Sequence, residues 1–226
     1  MPRIARVVAP GVPHHVTQRG NRRQRTFFTK EDYRAYIELM AKWCRHCAVD
    51  VWAYCLMPNH VHLIVVPKTS DGLKRAIGEA HRLYTLRINQ RQGWRGHLWQ
   101  GRFYSYPMDD VHLLTAARYI EQNPVKAGLA TLPEDYPWSS AFAHLTGEDD
   151  HLVKVEPLLK YTGGREGWRA FLAEEGDEQG HEILRKHETT GRPVGSDTFI
   201  DELEQSTGRM LRLKKPGPEH GVPTKD

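Results

Sequence analysis

The residues most able to do chemistry are two histidines one residue apart, in Asn59-His60-Val61-His62-Leu63. The apolar, β-branched run that continues to Val66 predicts a strand. Side chains two apart on a strand share a face, so His60 and His62 point one way while Val61, Leu63 and Val65 point the other. Two imidazoles side by side can chelate a divalent cation if a third ligand arrives from elsewhere. A hydrogen-bonded or surface pair has the same spacing. A second constellation lies in Arg118-Tyr119-Ile120-Glu121-Gln122-Asn123-Pro124, where Tyr119 and Asn123 stand four apart and share a helix face. A phenol becomes a strong oxygen nucleophile once its proton is gone, and a carboxamide oxygen suits a hard cation. Packing for Tyr119 and helix termination before Pro124 for Asn123 are the plainer uses. Cys44-Arg45-His46-Cys47 has zinc-like spacing, but no second Cys-x-x-Cys completes a tetrahedral site. Both cysteines fall on a helix's inner stripe, and core packing is the expectation.

These groups need a scaffold, and the chain supplies its signals in order. A strand is expected near Pro13–Arg19, then the Gly20-Asn21 turn and a polar arginine loop. Tyr33, Tyr36/Ile37, Met40, Trp43/Cys44 and Cys47 predict an amphipathic helix from Glu31 to Ala48. Val49–Leu56 and His60–Val66 read as a close strand pair, and Thr69-Ser70-Asp71 as the start of a helix to about Gln92. Trp99–Tyr106 offers a fourth strand, and Asp109-Asp110 opens a helix that closes at Asn123-Pro124. The order β-α-β-β-α-β is the ferredoxin-like split βαβ arrangement, an α+β antiparallel sheet, with a tyrosine-bearing helix added. Three parts are expected: a catalytic domain over 1–147, a helical C-terminal extension over 148–208, and a basic flexible tail over 209–226. In the extension, Trp138–Leu145 just before it, Glu156–Ala173 and Asp197–Thr207 read as helices. Glu174–Glu178 reads as an acidic, mobile stretch.

The chain has 226 residues and a net charge of +4, but the charge is unevenly spread. Residues 1–30 hold seven Arg or Lys and residues 80–108 five Arg, with no acid in either window. These windows carry +12 and leave −8 for the rest, a pattern that presents a basic face to a polyanion such as nucleic acid. No apolar run reaches the length of a membrane span, and no signal segment opens the chain. Three cysteines are too few and too odd for a disulfide framework, so a cytoplasmic location is expected.

The ordered motifs resemble the HUH single-tyrosine transposases, most closely the REP-associated tyrosine transposases of bacteria. The resemblance runs over residues 1–147. It is carried by Pro2-Arg3, His15-Val16-Thr17-Gln18-Arg19-Gly20-Asn21, Met57 to Leu63, Leu98-Trp99-Gln100-Gly101-Arg102-Phe103, Arg118 to Gly128 and Tyr136-Pro137-Trp138-Ser139-Ser140. Gly191-Arg192-Pro193-Val194-Gly195 with Phe199 is similar to the family's C-terminal recognition segment. Two departures are His14, where an aromatic Tyr is common, and Lys215-Pro216-Gly217-Pro218 in the tail.

The resemblance implies a single-stranded DNA endonuclease and strand transferase acting at hairpin repeat elements. Tyr119 would attack the scissile phosphate to give a 5′-phosphotyrosine, while His60, His62 and Asn123 hold Mg²⁺ or Mn²⁺. DNA contacts are expected from Arg19, Arg22, Arg23, Arg25, Arg82, Arg87, Arg102 and Arg192, with Arg91 on the same helix, while Trp94, Trp99, Phe103 and Tyr104 are stacking candidates that core packing would equally explain. The substrate would be single-stranded DNA folded as a palindromic hairpin with a flanking tetranucleotide, the protein a monomer or homodimer without membrane contact. A non-catalytic nucleic-acid-binding module and a metal-dependent hydrolytic nuclease are the alternatives.

Overall fold

The strands are buried along nearly their whole length, so both faces of the sheet are covered. The computed structural model describes residues 5–174 and 178–212; Arg3, the middle of the acidic stretch and the tail from 213 lie outside them. Strands β1 (His14–Arg19), β2 (Val49–Met57), β3 (His60–Pro67) and β4 (Tyr104–Pro107) form one sheet in the order β2-β3-β1-β4, every pairing antiparallel. That is the expected ferredoxin-like order. Trp99, placed by the sequence in the fourth strand, instead makes only an isolated bridge to Gly20, and the strand begins at Tyr104.

Register decides what each face carries. Thr17 lies opposite His62, Arg19 opposite His60, and His15 is flanked by Ile64 and Tyr106. His15, Thr17, Arg19, His60, His62, Tyr104 and Tyr106 therefore share one face, while Val16, Val61, Leu63 and Val65 share the other. Helices α1 (Lys30–His46) and α2 (Gly72–Gln92) pack on each other and on β2, and right-handed crossovers put both on the apolar face. Cys44 and Cys47 are buried free thiols of that layer. Asp32, fully buried on α1, accepts from the backbone N–H of Phe28 and Thr29 and is paired with Arg91 of α2.

Helix α3 (Asp110–Lys126) lies on the histidine face. It is capped by Asp109, which accepts from the His112 N–H at 3.1 Å. Contrary to the expected stop, α3 runs through Asn123-Pro124 for another turn. The Ala127 and Leu129 N–H groups bond back to Asn123 and Pro124, so the proline costs one hydrogen bond without ending the helix. Helix α4 (Ala141–Thr146) comes just before the extension, which folds as α5 (Glu156–Leu159), α6 (Arg165–Ala173), α7 (Glu178–Thr190) and α8 (Asp197–Thr207). The single helix read over 156–173 is broken at Gly163-Gly164, whose φ values of +75° and +107° favour glycine. Trp168, Leu172, Leu184 and Val194 of the extension join the same apolar core as the sheet. At its end Leu211 is buried, and Arg209 donates to the carbonyls of Ala5 and Arg6. No helix among the described residues is long and apolar enough to cross a membrane.

Candidate active site

Four elements bring polar groups to one spot on the histidine face. Strand β3 supplies His60 and His62, whose ring centroids are 4.9 Å apart. Strand β1 adds His15, whose Nε2 lies 3.1 Å from His62 Nδ1 with the rings stacked. Helix α3 brings Tyr119 edge-on to His62 at 5.5 Å between centroids. Helix α7 brings Glu188, with Oε1 4.0 Å from His62 Nδ1. A small cleft of about 170 Å³ opens here, lined by Thr17, Arg19, His60, His62, Tyr104 and Glu188 among others. One chain thus holds the phenol and both histidines together.

Local structure explains each placement. Ala116, Ala117 and Ile120 bury one side of α3 against the sheet and set its azimuth, which leaves Tyr119 half-buried over His62. Leu184, fully buried, anchors α7, and its carbonyl accepts from the Tyr106 hydroxyl at 3.2 Å. Lys126 donates to His181 at 3.0 Å, tying α7 to the end of α3. The arginine loop closes against the β2–β3 turn through Gly20 N–H to Asn59 O, 2.8 Å, and Thr26 N–H to Pro58 O, 2.9 Å. A Cβ on Gly20 would meet Gln24 O at 2.2 Å, so only glycine fits there. Within this loop Arg22 and Arg23 take φ of +52° and +61°, a left-handed conformation that costs about 1–2 kcal/mol per residue.

Burial sets the charge states. It draws His15 down to about 3 and His60 to about 4, with Arg19 adding to the effect on His60. His62 falls well below the ordinary imidazole range through burial and then the proximity of His60, His15 and Arg19. All three rings are neutral near pH 7 and keep a lone pair. Burial raises Glu188 to about 7, against the pull of Arg19 and Arg185. Burial, followed by the charge of Glu188, also raises Tyr119, while Arg185 opposes it by a hydrogen bond to the phenol. Two buried polar atoms lack a hydrogen-bond partner here, His62 Nε2 and Glu188 Oε1. Unpaired buried polar atoms are costly, and neutral imidazole nitrogens beside a carboxylate are the donor set a divalent cation takes up. The residues fit such an ion, and the nitrogen donors suit Mn²⁺ more readily than Mg²⁺.

The expected site residues divide into those at this cleft and those elsewhere. His60, His62, Tyr119 and Arg19 are together. Asn123 stands half-buried one turn beyond Tyr119 on α3. Arg22, Arg23 and Arg25 are exposed on the adjoining loop, and Arg87 and Arg102 are exposed further off. Arg82 is exposed but paired with Glu79 at 2.8 Å. Three further candidates are engaged within the protein. Trp99 is 7% exposed and stacked on His81 at 4.7 Å, so it is core rather than a platform for bases. Arg192 donates to the carbonyls of Leu211 and Arg212, the last described residues. Arg91 is committed to Asp32. Glu188, His15, Tyr106 and Arg185 had no assigned role. His15 lies in a quoted motif, but Glu188 and Arg185 sit on a helix that the polar run Glu178–Thr190 did not announce.

Comparison with known proteins adds three findings. The family model described as "Transposase IS200 like" matches residues 11–123. A Haemophilus influenzae protein named as a REP-associated tyrosine transposase is 31% identical over 108 residues, covering 43% of this chain and 61% of that protein. The chain therefore matches about three fifths of that relative's length. The structure of a REP-associated tyrosine transposase bound to a REP hairpin superposes with a TM-score of 0.53 at 21% identity, covering 67% of this chain and 90% of the other. At that identity the likeness is one of fold.

Proposed function

The chain belongs to the IS200-like transposase family, and from this premise and the geometry of the cleft we propose that it is a metal-dependent single-stranded DNA strand transferase with Tyr119 as nucleophile. The observation that carries the reading is Tyr119 edge-on to His62 within one chain. A phosphodiester is a reluctant, anionic electrophile. Attack by the phenol oxygen forms a 5′-phosphotyrosine and releases a 3′-hydroxyl, and the bond energy is kept for a later joining step. His60, His62 and Asn123 would hold the cation. When bound it supplies Lewis-acid polarisation of the phosphate and a template for the leaving oxygen. Glu188, with a pKa near 7 and in electrostatic contact with Tyr119, is suited to accept the phenol's proton. Arg185, bonded to the phenol, stabilises the oxyanion as it develops.

The substrate proposed is hairpin DNA of the palindromic repeat kind, as in the REP-hairpin complex of the fold relative. The exposed Arg22, Arg23 and Arg25 and the half-buried Arg19 line the approach to His60 and would bind phosphates. Because nucleophile and histidines share one chain, a monomer acting in cis is the proposed unit. The test is a denaturing gel of labelled hairpin DNA with single-stranded flanks, incubated with the protein and Mn²⁺. A covalent protein–DNA band is expected, absent in Tyr119→Phe. His60→Ala and His62→Ala should lose cleavage and keep hairpin binding. Cleavage that survives Tyr119→Phe would mean water attacks, and binding without cleavage by the unaltered protein would mean a recognition module.

A further inference from the structure

Resting on that reading of the cation site, we propose that Asn59 and the His15–Tyr106 pair are positioning residues that lock both strand histidines in the Nδ1–H tautomer, so each offers its Nε2 lone pair to the cation. Two hydrogen-bond chains place the ring protons, and each ends on a backbone carbonyl that can only accept.

The first chain begins at Leu184 of α7. The Tyr106 hydroxyl has one proton and donates it to Leu184 O at 3.2 Å. The contact at 2.7 Å between Tyr106 Oη and His15 Nδ1 must then be filled by a proton on His15 Nδ1. His15 is completely buried, which disfavours a second ring proton, so its Nε2 is an acceptor. The 3.1 Å contact from His15 Nε2 to His62 Nδ1 therefore uses a proton on His62 Nδ1. What remains on His62 is Nε2 with its lone pair, and that atom is buried without a partner.

The second chain begins at Arg23 in the arginine loop. Asn59 Nδ2 donates to Arg23 O at 3.1 Å, which fixes the carboxamide's orientation. Asn59 Oδ1 thus faces His60 Nδ1 at 2.7 Å and accepts its proton, leaving Nε2 of His60 as the lone pair. Two unrelated supports, one from the sheet and α7 and one from the loop, impose the same tautomer on both rings. Histidine ligands ordinarily donate their second nitrogen in this way, and loss of such a partner commonly weakens metal affinity by roughly 10–100-fold. The competing arrangement places the ion among His15 Nε2, His62 Nδ1 and Glu188 Oε1, donor atoms that lie within 4.8 Å of one another. It would have to expel the proton that the first chain places between the two rings.

The test uses full-length protein with ring-¹⁵N-labelled histidine, read by long-range ¹H–¹⁵N correlation without DNA, and Mn²⁺ alone titrated by calorimetry. The unaltered protein should show His60 and His62 both as Nδ1–H. Tyr106→Phe should let His62 sample the other tautomer while His60 stays, and Asn59→Ala should free His60 alone. Asn59→Asp keeps an acceptor for His60 and should restore its tautomer. Both disruptive variants should bind Mn²⁺ about 10–100-fold more weakly. An Nε2–H form on either ring in the unaltered protein overturns the proposal without needing any variant. So does Mn²⁺ binding that is lost in Glu188→Gln but untouched in Tyr106→Phe, since that puts the ion on the Nδ1 side. Correct tautomers with no covalent DNA adduct would instead defeat the transferase reading and leave this assignment standing.

Discussion

Helix α3 has a buried polar cluster on each of its sides, and the two are built on opposite principles. Tyr119 and Glu121 are two residues apart and so point in nearly opposite directions. On the Glu121 side, a fully buried carboxylate has both oxygens occupied. Oε1 accepts from Ser140 Oγ and from His144 Nδ1, each at 2.6 Å, and Oε2 accepts from Trp168 Nε1 at 3.0 Å. These bonds join α3 to α4 and α6, with His144 stacked on Trp168 at 4.7 Å. On the Tyr119 side the carboxylate of Glu188 keeps Oε1 unpartnered, and so does Nε2 of His62. The contrast lies in the carboxylates: Glu121 is used up, Glu188 is held open, and each cluster leaves one imidazole nitrogen, His144 Nε2 or His62 Nε2, without a partner. Satisfied groups fix a structure, and open ones carry a free-energy cost that a ligand or a transferred proton can recover. The open carboxylate beside Tyr119 is what the proposed reaction would use.

Substitutions that exchange these properties test the contrast. The largest effect is expected from Glu188→Gln, which removes the free carboxylate. Cleavage should fall by about 10²–10⁴-fold if Glu188 takes the phenol's proton, while urea unfolding should show stability unchanged or raised, because a buried carboxylate with an unpartnered oxygen is costly. Glu121→Ala should do the reverse. Three donors lose their acceptor, and chemical denaturation should report a loss of roughly 2–4 kcal/mol. If Glu121→Ala proved neutral and Glu188→Gln destabilising, the two clusters would have been assigned the wrong way round.

The smallest effect concerns buried imidazoles outside both clusters. His81 bonds the Tyr36 hydroxyl at 2.8 Å, and burial draws its pKa from 6.5 to about 3. His14 is drawn in the same way to about 4. A folded pKa below the unfolded one means the unfolded chain takes up the proton first. Stability is then complete above pH 6.5 and is lost progressively as pH falls from there toward 3. Melts across that window should show a steady decline, less steep in His81→Gln. An unchanged slope would show that His81 titrates normally.

The two sides of α3 also differed in how much the residues alone disclosed. The His60/His62 pair was legible from period-two alternation, because strand geometry alone puts them on one face. The sheet order followed from the sequence of strands and helices. Tyr119 was singled out by its spacing from Asn123 and by motif resemblance. Helix α7 was not legible: Glu182 and Lys186 face outward, and one buried leucine with a bonded carbonyl seats it. Glu188 and Arg185 reach the cleft through that docking, which is a tertiary event with no local signature. The burial of Trp99 had no local signature either. Composition marks an aromatic or a cation, and only packing decides whether it faces outward.

The most direct test of the account is to locate the attachment point of DNA on the protein. A hairpin substrate cleaved in the presence of Mn²⁺ would be trapped, digested with nuclease and trypsin, and the remaining nucleotide mapped by mass spectrometry. The account predicts the nucleotide on the peptide Tyr119–Lys126, attached through the phenol oxygen of Tyr119. A nucleotide on another tyrosine, such as Tyr104 or Tyr106 in the same region, or full cleavage with no nucleotide attached, would contradict it.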